Sequence, residues 1–492
     1  MHPVFKLEHS YLSLPEKLYT RQAPQKVSAP RVLLFNEALA DSLGIAYAKS
    51  SDDELAALLA GNVLPEGTAT DMPNASPLAQ AYAGHQFGHF NILGDGRALL
   101  LGEHMAPDGK RVDIQLKGSG RTPYSRGGDG RATLGSMLRE YLMSECIHAL
   151  GIPCSRSLAV TLSGETVMRD RPHPGAVLTR VMSSHLRCGT FEFARLNLDE
   201  EGQRQLLDYA ISRHYPALEN AENKALAFLD AVSRKQIETI CNWMRVGFIH
   251  GVMNTDNMHI AGETFDFGPC AFMNAYHPQT VFSSIDHGGR YAFGKQAGIA
   301  HWNLGVLAGA LLPLIDTDEE AAIQSARELL SSFPEKFNAA WSHTLSGKIG
   351  LAQVDEDAAK LGKSLLELMQ EYRADYTNTF VWLMKDANEE GDAVYGKEAF
   401  VAWRKTWEEK VAGREGGKEA ALNLMRKTNP QVIPRNHMTE AALEAAEENG
   451  DLGPFQELIE AIRHAYDHSE ADLRFTQPPP GGDAEYRTFC GT

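Results

Sequence analysis

The chain has 492 residues, 43% apolar and 23% charged, which is the balance of a globular protein with a large buried core and excludes a disordered or fibrous chain. A formal net charge of −17 excludes general nucleic-acid binding, which needs a basic footprint, but leaves room for a local basic pocket. Cys146, Cys154, Cys188, Cys241, Cys270 and Cys490 form no CxxC pair, so neither a zinc site nor a disulfide framework is indicated.

Residues 1–75 read as an N-terminal extension of short helices and Pro-containing loops, with helical spacing over Asn36–Leu43 and Asp52–Leu59. A strand-rich lobe is expected over 76–190. Asn91-Ile92-Leu93 and Ala98–Leu101 flank Gly94-Asp95-Gly96 and suggest a hairpin, and Asp108-Gly109 is a second turn signal. In Arg111–Lys117, Val112, Ile114 and Leu116 alternate with Asp113, Gln115 and Lys117, so Lys117 should point away from the apolar face of a strand. A Gly- and Arg-rich stretch, 118–131, leads into a helix through Leu134, Leu138, Tyr141 and Leu142 that stops near Gly151. Two further strands are expected in Ser157–Leu162 and Ala176–Met182. A mainly helical lobe follows over 191–476, interrupted by a turn-rich patch at 249–292, and 477–492, with Pro-Pro-Pro-Gly-Gly and Cys490, reads as a flexible tail. This order predicts an α+β, protein-kinase-like two-lobed fold. No apolar run approaches the roughly 20 residues of a membrane helix, and the start Met1–Lys6 lacks the pattern of a secretory signal. The expectation is a cytoplasmic protein, a monomer without membrane or nucleic-acid partners.

The strongest chemical signal is His250-Gly-Val-Met-Asn-Thr-Asp256-Asn257 followed by Asp266-Phe267-Gly268. Two short strands around Gly262-Glu263 are expected to bring Asn257 and Asp266 to one end of a hairpin. Their amide and carboxylate oxygens are hard ligands suited to Mg²⁺ or Mn²⁺, which phosphoryl and nucleotidyl transfer need to neutralise phosphate charge. Lys117 on a strand with Glu140 on the next helix repeats the pair with which kinases hold phosphates. Gly94, Gly96 and Arg97 offer a tight turn and a guanidinium. Asp129-Gly130, read as just preceding a helix, offers backbone N–H groups to an anion. Arg180 and Arg187 could pair a polyphosphate bidentately. No GxxxxGK[ST] is present, which excludes a P-loop site. Where a kinase catalytic loop carries an Asp that accepts the hydroxyl proton, this chain has Val252. Either the chain is a degraded kinase, or Asp256 serves as base for a different substrate pose. His85 and His89, four apart, would meet on a helix, but with no third ligand they read as packing residues rather than a zinc pair.

These motifs resemble the selenoprotein O family (also called the YdiU family) of pseudokinase-like protein adenylyltransferases. The likeness runs from Leu34-Phe-Asn-Glu-Ala-Leu-Ala through Tyr82-Ala-Gly-His-Gln-Phe-Gly, Gln115–Arg131, Ser155-Arg-Ser-Leu and the 250–257 loop to Cys490. The resemblance implies ATP bound in a flipped pose, with Lys117, Arg180 and Arg187 on the far phosphates. It further implies Gly94, Gly96, Arg97, Asp129 and Gly130 around the nucleotide, Asp256 as proton acceptor, Asn257 and Asp266 as Mg²⁺ or Mn²⁺ ligands, and Glu140 orienting Lys117. AMP from ATP, or UMP from UTP, would pass to Ser, Thr or Tyr hydroxyls of proteins, the enzyme included. Eukaryotic members end in a Cys-x-x-selenocysteine pair; here Cys490 stands at the selenocysteine position with Arg487 at the partner position, so a redox switch would need a distant partner such as Cys270. Two other readings of the residues are an ordinary kinase transferring the γ-phosphate and a non-catalytic nucleotide-binding pseudokinase.

Overall fold

The computed structural model describes residues 5–65, 77–385, 393–468, 472–483 and 486–488, in which a strand-rich part precedes a helical part, an α+β architecture. The strands are β1 (Leu7–Glu8), β2 (Tyr19–Arg21), β3 (Arg31–Phe35), β4 (Leu78–Gln86), β5 (His89–Gly94), β6 (Ala98–Met105), β7 (Arg111–Lys117), β8 (Ala132–Thr133), β9 (Arg156–Met168) and β10 (Pro172–Met182). They form one antiparallel sheet in the order β2-β4-β6-β7-β10-β9-β3, with β1 on β6, β5 on β4 and β8 on β10. Residues 5–65, part of the 1–75 expected as an extension, therefore supply strands to the same sheet. They also supply α1 (Glu37–Leu43) and α2 (Asp52–Leu59), each begun by a side-chain cap from Asn36 and Ser51.

Both faces of this sheet are covered. On one, Leu39, Leu43, Leu58 and Leu59 of α1 and α2 pack on Leu101, Ile114, Leu116 and Val177. Ile114 and Leu116 are fully buried there, and such a side chain contributes about 1.5–3 kcal/mol. The alternation in β7 sends Asp113, Gln115 and Lys117 to the other face, where they too are buried, among polar partners. Against that face lies α3 (Leu134–Ala149), which starts at the Thr133 cap and stops at Gly151 with φ +75°.

Beyond the sheet come α4 (Cys188–Asn197), α5 (Glu200–His214) and α6 (Lys224–Val246). A two-stranded ribbon, β11 (Phe248–Ile249) with β12 (Ala271–Phe272), brackets the segment carrying Asp256 and Asp266. Then follow α7 (Gln296–Ile315), α8 (Glu319–Ser331), α9 (Phe333–Lys348), α10 (Glu356–Tyr372), α11 (Tyr376–Leu383), α12 (Glu398–Ala412), α13 (Gly417–Thr428), α14 (Asn436–Asn449) and α15 (Gly453–Arg463). One sequence expectation needs correction here: the stretch Phe293–Ile315 around α7 is long and apolar enough to cross a membrane, with mean hydropathy 1.5. Its Ile299, Leu304, Leu307 and Leu311 are buried in the main core, and α7 packs on α4, α6 and α8, which accounts for the apolar run.

Three local expectations are also corrected. Gly94-Asp95-Gly96 does not close a hairpin between β5 and β6. The hairpin is β4–β5, with Gln86 opposite His89 across Phe87 (φ +51°) and Gly88 (φ +86°), the two positive values of a two-residue type I′ turn. No paired strands flank Gly262-Glu263: His259 bridges to Arg187 and Thr264 to Cys154, so the loop's arms pair with the end of the sheet region instead of each other. In the tail, Asp483 accepts hydrogen bonds from Asn274 and Asn436, and Thr488 bridges to Ser283 and donates to the Pro269 carbonyl, so the described part of 477–492 is docked rather than free. Cys490 lies outside the described residues.

Candidate active site

A cleft of about 780 Å³ opens between the sheet and the helical part. Gly94, Gly96, Arg97, Lys117, Asp129, Gly130, Glu140, Arg180, Arg187, Asp256, Asn257 and Asp266 all line it, so the residues singled out from sequence share one cavity.

At its closed end two cations and two carboxylates alternate. Lys117 Nζ lies 2.5 Å from Glu140 Oε2 and 2.6 Å from Asp266 Oδ1. Arg180 Nη1 lies 2.8 Å from Glu140 Oε1 and 2.7 Å from the same Asp266 oxygen. Three elements build this corner: β7 brings Lys117, β10 brings Arg180 beside it through the Arg180–Gln115 pairing, and α3 brings Glu140. Gln115 Oε1 accepts from Arg180 Nη2 at 2.6 Å, which fixes the guanidinium plane. Burial alone would raise the Asp266 carboxyl, but Lys117, Arg180 and Arg187 outweigh it and hold the group well below the usual carboxylate range. Asp266 also holds a left-handed backbone, φ +58°, which for a non-glycine residue stores strain.

Arg187 forms a second cationic point. Its guanidinium stacks 4.0 Å from the Tyr82 ring centroid and 5.0 Å from that of Phe265, and it donates to the carbonyls of His185 and Asp256, each at 3.2 Å. Its Nη2 is buried without a hydrogen-bond partner. A buried, unpartnered N–H at the wall of a cleft is a place for an anionic oxygen. Asp95, the nearest acid at 3.9 Å, has its carboxyl pushed up to about 6 by burial, which Arg187 only partly offsets.

Asp256 and Asn257 lie on the 3-10 turn Thr255–Asn257. Burial pushes the Asp256 carboxyl up to about 6 against the pull of Arg187, and its Oδ1 is buried without a partner. Val252 lines the same cavity and offers no proton acceptor. Asn257 Nδ2 donates to the Val252 carbonyl at 3.1 Å, which leaves Oδ1 as the atom it can offer a cation. No group of three or more His, Cys, Asp or Glu gathers as a metal cage among the described residues. An amide oxygen and one carboxylate fit a hard divalent cation that takes the rest of its shell from phosphate and water.

The remaining expected positions line the rim of the cleft. Gly94 and Gly96 lie against Tyr124, whose ring and carbonyl leave no room for a Cβ. The Asp129 carboxylate is tied to Arg169 at 2.8 Å and to the Arg131 N–H. Asp129-Gly130 lies shortly before the Thr133 cap of α3, and Thr133, Gly135 and Ser136 at that helix start line the same cleft. His85 and His89 sit on facing strands, not a helix, and His85 Nδ1 lies 2.5 Å from Glu192 Oε1. Sequence reasoning missed Tyr82, Asp95, Gln115 and Phe265; only the polar alternation of β7 pointed to Gln115.

A cleft that concentrates cations beside one pinned and one unpartnered carboxylate suits enzymes that transfer phosphoryl or nucleotidyl groups. The chain belongs to the family described as protein adenylyltransferase SelO, whose model matches residues 4–463. It is 50% identical over 488 residues to the protein nucleotidyltransferase YdiU of Bacillus cytotoxicus, covering 99% of this chain and 98% of that one. The protein of the same name from Geobacillus kaustophilus is also 50% identical, over 99% of both chains. That from Nitrosococcus oceani is 50% identical over 485 residues, 99% of this chain and 97% of its own.

Proposed function

We propose that this enzyme, on a protein-kinase-like fold, transfers AMP from ATP to a Ser, Thr or Tyr hydroxyl of a protein and releases pyrophosphate; UTP would serve the same chemistry with UMP. The observation that carries the reading is the division of carboxylates. Val252 removes the usual kinase base, and Asp256 is the buried carboxylate of the cleft whose Oδ1 has no hydrogen-bond partner. The hydroxyl oxygen attacks the α-phosphorus, the bond from that phosphorus to the bridging oxygen breaks, and the hydroxyl proton passes to Asp256. Lys117, Arg180 and the free Nη2 of Arg187 hold the departing phosphates, and Glu140 orients Lys117. Mg²⁺ or Mn²⁺ at Asn257 and Asp266 would neutralise phosphate charge when bound. A cytoplasmic location, where ATP and protein acceptors are at hand, belongs to this reading.

Paired assays with ATP labelled at the α- or the γ-phosphate test it. Label is expected on protein from the α position only; incorporation from the γ position alone would contradict the proposal and return the chain to the ordinary kinases.

A further inference from the structure

We infer that Gly84 on β4 and Gly189 on α4 form a seat that positions the Asp256 carboxylate, so that Gly84 is a positioning residue for proton transfer. The inference rests on the reading of Asp256 as proton acceptor.

A buried carboxylate is ordinarily aimed by the donors it accepts from. Asp256 Oδ1 has none, and Arg187 reaches only the backbone carbonyl of this residue. Apart from the residue's own amide, packing sets where that oxygen lies. The packing is tight at Gly84: a Cβ there would stand 2.2 Å from Asp256 Oδ1, 2.7 Å from its Cγ and 2.9 Å from its Cβ. At Gly189, a Cβ would stand 1.9 Å from the Ala83 carbonyl oxygen and 3.5 Å from Asp256 Cα. The missing side chains let strand, helix and loop approach one another with Asp256 between them.

The strand cannot simply retreat. Its His85 N–H donates to Thr255 Oγ1 at 2.8 Å and the following Phe87 N–H to Asn254 Oδ1 at 3.2 Å, which lays β4 along the loop. Gly84 is not among the left-handed glycines, so its backbone tolerates alanine, and the added methyl has one principal obstacle, the Asp256 side chain. A misplacement of about 1 Å in a reacting group can cost about 10²-fold in rate.

The test is a double-mutant cycle on the full chain, reading transfer of α-label, nucleotide affinity by titration and thermal melting. Gly84→Ala is expected to lower transfer at least about 30-fold with nucleotide affinity nearly unchanged, and to lower the melting temperature only by the few degrees an overpacked site costs. In an Asp256→Ala background the same substitution should cost less than about twofold, because the carboxylate it displaces is gone and only the Cβ contact remains. Asp256→Glu, which keeps the charge but adds a methylene the seat has no room for, should be about as inactive as Asp256→Ala; it tests the seat even if Gly84→Ala folds poorly. The inference is overturned by a Gly84→Ala loss that persists undiminished without Asp256, by near-normal transfer in Gly84→Ala, or by substantial transfer in Asp256→Glu. Near-normal transfer in Asp256→Ala would be a different failure, sinking the proton-acceptor reading itself and this inference with it.

Discussion

Two carboxylates of the cleft, ten residues apart in sequence, have opposite surroundings. Asp266 shares one oxygen between Lys117 and Arg180, and its charge is held in place over a wide pH range. Asp256 is the more deeply buried of the two but has an oxygen with no partner, and burial pushes its carboxyl up to about 6. The difference teaches how one loop can do two jobs. A group pinned by cations suits holding charge, whereas one whose charge is only weakly compensated suits taking up a proton.

The largest expected break in this comparison is Asp266→Ala. It removes a carboxylate from the four-membered ion network and one of the two proposed cation ligands. Transfer of α-label should fall more than about 10³-fold, beyond the range typical of a lost general base, together with nucleotide affinity measured by titration. Next is Arg180→Met, which leaves Glu140, Asp266 and Gln115 without a partner they now share. Removing one member of a buried ion network costs about 3–5 kcal/mol, so the denaturation midpoint in urea should drop clearly even before activity is measured.

The smallest effect concerns pH and sharpens the contrast from outside the cleft. Burial pushes His185 down to about 4 and His214 to about 3, with Asp113 hydrogen-bonded to the first and Ser184 to the second. Their folded values lie below the ordinary one, so from about pH 6.5 down to about 4 the unfolded chain binds more protons than the folded one. Stability must then fall as pH falls through that window, by up to roughly 3 kcal/mol per histidine. Melting temperatures measured from pH 7 to pH 5 should decline, and His214→Gln should flatten the decline; an unchanged slope would show that other groups set it.

Much of the corner around Asp266 was legible in the sequence because each part is local. The alternation of β7 placed Lys117, helical spacing placed Glu140, and Asp-Phe-Gly is contiguous. What joins them is not local: Arg180 reaches the corner only through antiparallel pairing of β10 with β7, and Gln115 matters only once that register exists. The β4–β5 hairpin was hidden because its turn uses Phe87, a residue that rarely adopts positive φ, while His85 and His89 carry a helix-like spacing. The docking of the C-terminal segment was equally invisible. Pro-Pro-Pro-Gly-Gly reads as a free linker, and Asn274 and Pro269, which hold Asp483 and Thr488, lie about two hundred residues away in sequence. The seat of Asp256 could not be read either, since Gly84 and Gly189 acquire meaning only from what presses against them.

The division of labour between the two carboxylates is tested most directly by Asp256→Asn, with α-label transfer and nucleotide affinity measured on one preparation. Asparagine keeps the shape of the side chain and removes its capacity to accept the proton. Transfer should fall by about 10²–10⁴-fold while affinity stays within about threefold. A parallel loss of affinity would contradict the account, placing Asp256 with Asp266 as a holder of charge rather than an acceptor of the proton.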